Sequence, residues 1–313
     1  MIKVNKKVDN RPLFLYNIVS YKTDKEVKYL GNTFSKISSV VKSQLYPFIK
    51  LRKLSLLSYT FEDFFNYVIS ENDIKVLGHH FSKRQIEGLT LIDSGGISLS
   101  YEKENPVVRQ NFTKCHELGH FLLNHHGTVF TELKENQTAP DEVEANYFSA
   151  CLLMPDIVLL SKIYYQKSSF QEVANSLHVS YEALNIRLID LLTYLTGESK
   201  ESIIQTVHQY QSRDNRKILE SFARVHDSIV SEYNSYDPRP VEKLSYLLSQ
   251  KDFVTDKEVA ELSQTIFRST VSSTSIGTWA YYDKGIAIFY AWNKEKLTEG
   301  QAYQKAKDIY YLS

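Results

Sequence analysis

The apolar positions of this chain change their period several times. Over residues 32–51 they fall three and four apart, at Ile37, Val40, Val41 and Leu45, which is the stripe of an amphipathic helix. Thr60 with Asp63 three residues on reads as a helix start, and Phe61, Phe64, Phe65 and Val68 form that short helix's apolar face. Residues 73–76, 88–92 and 97–101 then read as strands, with the turn formers Asp93-Ser-Gly-Gly between the last two. Asn105-Pro106 opens a helix expected to reach about Asn124: Asn caps well, Pro is tolerated in the first turn, and Gly127 supplies a stop.

A polar stretch covers residues 128–140, and residues 141–154 are helical again until Pro155 ends them. Residues 168–196 read as two short helices around a turn at His178-Val179, the first capped by Ser169 with Glu172 and the second by Ser180. Beyond Gly197 the character changes. A helix is expected over 216–233, then a linker, Asn234-Ser-Tyr-Asp-Pro-Arg-Pro240, then helices over 241–250 and 256–268. Strands over 277–282 and 286–292 flank Asp283-Lys-Gly285, and a last helix covers 299–312. No internal repeat is visible. The pattern predicts an α+β protein in four parts: an N-terminal helical segment (1–58), a core with a small antiparallel or mixed sheet packed on a helix (59–167), a helix-turn-helix-like unit (168–198) and a separate C-terminal α+β domain (199–313).

Composition adds limits. The 313 residues are 42% hydrophobic and 24% charged, enough for a proper core and usual for a globular protein. Lys plus Arg and Asp plus Glu are 37 each, so no global charge draws the chain to nucleic acid or an anionic membrane. Two cysteines, Cys115 and Cys151, are too few for a disulfide scaffold and suit a reducing compartment. The basic start, Met1-Ile-Lys-Val-Asn-Lys-Lys, is followed by no apolar run, and no stretch reaches the roughly 18 apolar residues of a membrane span. The expectation is a cytoplasmic protein without a membrane partner.

The chemistry concentrates in Cys115-His-Glu-Leu-Gly-His120, which contains H-E-x-x-H. Residues four apart share a helix face, so His116 and His120 can aim at one metal ion. Glu117 is rotated by about 100° from His116 and falls beside the metal, placed to take a proton from water. Zinc suits this work because it lowers the pKa of a bound water from 15.7 to about 7 and polarises a carbonyl. The motif alone also arises by chance on surface helices. Here Phe112, Phe121, Leu122 and Leu123 surround it, and a carboxylate in an apolar helix needs a partner to offset desolvation.

A third ligand is needed. A longer zinc motif, H-E-x-x-H-x-x-G-x-x-H, would make it His126, but Leu123 stands at the glycine position and predicts that the helix continues. His125 and His126 then read as solvated histidines near a helix C-terminus. The next helix offers more. Glu142 and Asn146 lie one turn apart, so Glu142 can bind the metal while Asn146 orients a ligand histidine. Ala145 permits close packing against the first helix. Glu144 is the rival ligand, about 200° round from Glu142, and the two cannot both face the metal.

These two blocks read Phe112-Thr-Lys-Cys-His-Glu-Leu-Gly-His-Phe-Leu-Leu-Asn-His125 and Glu142-Val-Glu-Ala-Asn-Tyr-Phe-Ser-Ala-Cys-Leu-Leu-Met-Pro155. They resemble the hallmark of the ImmA/IrrE metallopeptidases, F-T-x-x-H-E-L-G-H-x-L-L-x-H followed by E-x-E-A-N-x-F-A-x-x-L-L-M-P. Cys115 and Ser149 stand where alanines are usual. The resemblance runs over roughly residues 60–196 and takes in Phe170-Gln-Glu-Val-Ala-Asn-Ser-Leu-His-Val-Ser-Tyr-Glu-Ala-Leu-Asn-Ile-Arg-Leu188. It implies a zincin-like core with zinc held by two His and one Glu. It also implies an endopeptidase that acts on a helix-turn-helix transcriptional repressor, and so a role in regulating transcription in mobile elements or stress responses. Some members carry a further C-terminal sensor-like domain.

The reading of a different class is a regulator that works by binding a repressor or DNA, its metal site structural or vestigial. The 168–196 unit has helix-turn-helix spacing, but from Ser180 to Leu191 its one base is Arg187, against Glu182 and Asp190. Phosphate contacts need a positive surface, so a packing or docking role is favoured over direct DNA binding. Cys115 is expected to pack rather than to sense redox state. The aromatic hairpin of Trp279, Tyr281, Tyr282, Phe289, Tyr290 and Trp292 is expected to be sheet core rather than a ligand site.

Overall fold

A computed structural model describes residues 24–81, 86–125, 129–133 and 139–312, with the backbone only over 24–30 and 129–133. Helix α1, Asp24–Arg52, opens it and starts about two turns before the expected residue 32; it buries Ile37, Val41 and Leu45 of the expected stripe, adds Phe34, and leaves Val40 half-buried. Helix α2, Glu62–Glu71, buries Phe64, Phe65 and Val68; its N-cap is Phe61, so Thr60 does not cap it.

Strands β1 (Lys75–His79), β2 (Ile86–Asp93), β3 (Gly96–Glu102) and β4 (Val129–Leu133) form one mixed sheet in the order β1-β3-β2-β4. β1 runs parallel to β3, and the other pairs are antiparallel. In the β2–β3 turn, Asp93 Oδ1 accepts from the Gly95 N–H at 2.7 Å. β4 falls within the stretch read as a polar loop. It is an edge strand of five residues, too short for alternation to reveal.

Helix α3, Val107–Leu122, lies on this sheet and packs against α4, Pro140–Leu153. Pro106 rather than Asn105 is the N-cap of α3. The closeness of α3 to α4 comes from Gly119 as well as Ala145: a Cβ on Gly119 would lie 3.1 Å from Phe148 Cδ1. Ser149 Oγ donates to the Phe112 carbonyl at 3.0 Å and fixes the register of the two helices.

Helix α5, Asp156–Leu160, continues into a π turn at Ser161–Tyr165 and is wholly buried. Then come α6 (Phe170–Ser176) and α7 (Tyr181–Thr196), with the Ser169–Glu172 capping box and the Ser180 cap that their sequence predicts. Arg187 is no surface base. It is 2% exposed, paired with Asp156, and its Nε donates to the Met154 carbonyl at 3.1 Å. Lys42 of α1 joins from the other side, 2.6 Å from Asp156 and 2.7 Å from Glu232.

Helices α8, Lys200–Gln211, and α9, Arg216–Ser235, do not begin a new domain at residue 199. α9 packs on α5, α7 and α8, burying Ile218, Phe222, Val225 and Ile229, and Tyr210 of α8 donates to the Ser168 carbonyl at 2.6 Å. The chain divides instead between Ser235 and Tyr236. The first unit comprises the described residues up to Leu45 with Ser55–Ser235, and the second Tyr46–Leu54 with Tyr236–Ser313. The sequence places the boundary early because Gly197 ends α7 in a left-handed turn, a break in the helix but not in the core.

The second unit is α+β in its own right. A three-stranded antiparallel sheet, β5 (Phe253–Thr255), β6 (Ile276–Asp283) and β7 (Ile286–Asn293), has the order β5-β7-β6. On one face α10 (Pro240–Gln250) and α11 (Thr265–Val271) enclose Leu244, Leu248, Val254, Val259 and Ala291. On the other, α12 (Glu299–Leu312) covers Tyr281, Tyr290 and Trp292. Of the hairpin aromatics those three are core, whereas Trp279 and Tyr282 are exposed. The helix expected over 256–268 is a 3-10 turn at Ala260–Ser263 followed by α11. Among the described residues no single helix is long and apolar enough to cross a membrane.

Candidate metal centre

The site is built on the second half of α3, where Cys115, His116, Glu117, Leu118, Gly119 and His120 are all buried. An unbroken helix places the two imidazoles one above the other, their ring centroids 4.8 Å apart. α4 brings Glu142 to the same point. His116 Nε2 lies 3.1 Å from His120 Nε2 and 3.1 Å from Glu142 Oε2, and His120 Nε2 lies 3.6 Å from Glu142 Oε1. Two imidazole nitrogens and a carboxylate oxygen are a donor set zinc takes in hydrolytic sites. A tetrahedral ion with bonds of about 2.0–2.1 Å holds its donors about 3.3 Å apart, so the triangle has the right size. Among the described residues His116, His120 and Glu142 are a cluster able to hold a metal ion.

Two side chains of α4 back this triangle. Asn146 Oδ1 is 3.0 Å from His116 Nδ1 and accepts its proton, which puts the ring's lone pair on Nε2, toward the triangle. Glu144 faces away from the triangle, as the helical offset requires. It meets His125 Nε2 at 3.3 Å and Lys36 Nζ at 3.0 Å. Burial raises its pKa, but Lys36 and His125 outweigh that and hold it below the usual carboxylate range.

His125 is not a solvated histidine. α3 ends at Leu122, and Asn124 takes a left-handed conformation with φ of 55°. The Asn124 N–H donates to Phe121 and the His125 N–H to His120, the paired bonds of a Schellman turn. The turn folds His125 back until its Nδ1 is 2.8 Å from His120 Nδ1. The sequence pattern lets the helix run on because Leu123 holds the glycine position; the left-handed residue is the asparagine after it. His126 and Gly127 lie outside the described residues.

Glu117 points to the sheet. Its Oε2 accepts from Thr90 Oγ1 at 2.5 Å. Gly88, on the same face of β2, leaves the space the carboxylate fills, since a Cβ there would stand 2.2 Å from Glu117 Oε1. Neither Thr90 nor Gly88 is marked in sequence as part of the chemistry; a glycine within a strand pattern is the one available signal.

Burial, then the neighbouring His116 and His125, pull the His120 pKa down to about 2. At neutral pH its ring is therefore uncharged, the state in which imidazole binds metal. Cys115 is fully buried, and desolvation, with Glu62 adding to it, pushes its thiol well above its ordinary range. It is a packing residue there and not a reactive thiolate.

Paired histidines on one helix, a carboxylate from the next and a second carboxylate braced by the sheet are the parts of a metallohydrolase. Residues 70–189 match the family model Peptidase_M78, described as the IrrE N-terminal-like domain. The match starts in α2 and ends in α7, so it takes in the whole first sheet and both helices of the site. The chain carries a metallopeptidase-family domain of the ImmA/IrrE type. No curated protein sequence matches the chain.

Proposed function

We propose that this protein is a zinc-dependent endopeptidase of the cytosol. It hydrolyses a peptide bond in a protein substrate, which we take to be a helix-turn-helix transcriptional repressor of a mobile element or stress response. The observation that carries the proposal is the triangle of His116, His120 and Glu142 with Glu117 on the next face of the same helix turn.

His116, His120 and Glu142 would hold the ion. Zinc bound there supplies Lewis acidity, which acidifies water and polarises the scissile carbonyl. Glu117 is the general base: it accepts a proton from the attacking water and then gives it to the leaving amine nitrogen. Thr90 orients the Glu117 carboxylate by its hydrogen bond to Oε2, and Gly88 gives that carboxylate room. Asn146 keeps the His116 proton on Nδ1.

The repressor as substrate rests on the family resemblance. A protein partner is favoured over DNA because Arg187, the base of α7, is committed to Asp156. The cytosolic assignment rests on two buried free cysteines. The test is incubation of the purified chain with helix-turn-helix repressors, with and without chelator, beside Glu117→Gln. Cleavage should require the metal and be lost in Glu117→Gln while zinc remains bound. Regulation in cells that survives Glu117→Gln unchanged would instead establish the binding-only regulator.

A further inference from the structure

His125 stands outside both the H-E-x-x-H motif and the ligand triangle, yet its side chain is only 5% exposed. Its ring meets the back of the His120 ring edge-on, centroids 5.0 Å apart and planes at 69°. The inference rests on the metal site proposed above. An ion on His120 Nε2 takes that nitrogen's lone pair, so the ring proton sits on Nδ1. Two nitrogens 2.8 Å apart share one proton, so His125 Nδ1 accepts it. The His125 proton is then on Nε2, where Glu144 Oε2 receives it at 3.3 Å. Lys36 of α1 holds the other Glu144 oxygen at 3.0 Å. Each ring proton in the row thus has its acceptor in the next residue. α4 thus serves both histidines: Asn146 backs His116 directly, and Glu144 backs His120 through His125.

We propose that His125 and Glu144 are positioning residues that set His120 in its Nδ1–H tautomer and fix its ring before metal binds, with Lys36 anchoring the far end. Lys36 is 65% exposed, so its own contribution is the smallest of the three.

The test is zinc affinity of the full-length chain, measured by competition with a chromophoric chelator. Loss of an outer-shell partner costs about 10- to 100-fold in metal affinity. His125→Leu is expected to fall in that range and Glu144→Ala at about its lower end. His125→Asn, whose amide oxygen can take the place of Nδ1 and accept from His120, should recover part of the loss. It keeps the test decisive if the leucine variant folds poorly. Imidazole nitrogen-15 shifts of the metal-free protein give a second readout: His120 should be Nδ1–H in the wild type and a tautomer mixture in His125→Leu. Affinity within about twofold of wild type in both His125 variants overturns the proposal. So does a loss of zinc as complete as in His116→Ala, which would make His125 a ligand. Full zinc binding by His116→Ala would overturn the metal site itself, an outcome distinct from either.

Discussion

Thr90 on β2 donates its hydroxyl to Glu117 Oε2 across 2.5 Å, and its oxygen also lies 3.1 Å from the Glu117 backbone carbonyl. One strand residue thus meets Glu117, the proposed general base, at its carboxylate and beside its main chain. Thr90→Val keeps the shape and removes the donor. A hydrogen bond to a charged group contributes about 1.5–3 kcal/mol, equivalent to roughly 10- to 100-fold in rate. We predict a kcat loss of that size with zinc content unchanged. A valine variant as active as wild type would show that Glu117 needs no brace.

Gly88 makes a harder demand. Any side chain there enters the volume of the Glu117 carboxylate and meets Thr113 Cγ2 at 2.6 Å. Gly88→Ala should displace Glu117 and reduce cleavage more than Thr90→Val does. The ligand triangle lies on the neighbouring face of α3, about 100° round, and none of its three residues is among the atoms nearest to Gly88, so zinc stoichiometry should stay at that of wild type. Measurement of both on one preparation separates a moved base from a collapsed site.

The two acids of α4 are expected to part in metal titrations. Glu142 lies within 3.1 and 3.6 Å of the two histidine nitrogens, whereas Glu144 reaches His120 only through His125. Glu142→Ala should lose stoichiometric zinc, and Glu144→Ala should bind one ion more weakly. The reverse order would exchange their roles.

What the sequence makes legible divides by range. Helical spacing puts His116, Glu117, His120, Glu142 and Asn146 on their faces, because a regular helix converts sequence distance into direction. Thr90 and Gly88 escape such reasoning. They reach Glu117 across 27 and 29 positions of chain, through a sheet whose register no local pattern supplies. His125 escapes for a smaller reason: one asparagine in a left-handed turn reverses the chain, where the pattern implies continued helix. The boundary near residue 199 is misplaced in the same way. Gly197 breaks a helix, but Ile203, Val207 and Tyr210 beyond it are as buried as the core they join.

The ion cluster of Asp156 links the stability of the first unit to pH in the acid range. Burial by itself raises the Asp156 pKa, but Arg187 and Lys42 outweigh it and hold the carboxyl below its ordinary value. A depressed folded pKa contributes stability that is complete above the unfolded value, about 3.9, and is lost as pH falls through the folded one. Urea curves of the wild type should therefore shift faster below about pH 4 than those of Asp156→Asn. Near neutrality, Asp156→Ala leaves the Arg187 charge buried without its carboxylate. It should cost about 3–5 kcal/mol of unfolding free energy.

We propose that the second unit regulates the peptidase rather than building its site. Each residue given a chemical role lies in the first unit, from Lys36 to Asn146. The division after Ser235 makes a chain ending there the informative truncation, in place of one ending near residue 199. A chain cut at residue 199 loses Phe222, Val225 and Glu232, and with them the cover of α5 and one partner of Lys42. It should be insoluble or lose its zinc. The chain ending at Ser235 keeps all of these, though Tyr46, Lys50 and Arg52 of α1 lose Tyr236, Asp237 and Tyr246. Substituting polar residues for Tyr46, Phe48 and Ile49 offsets the apolar surface so exposed. With zinc bound and cleavage equal to or above that of the full chain, the fragment would support regulation by the second unit. If instead it is folded and zinc-loaded but inactive on a substrate the full chain cleaves, the second unit takes part in catalysis or substrate capture, and the regulatory reading fails.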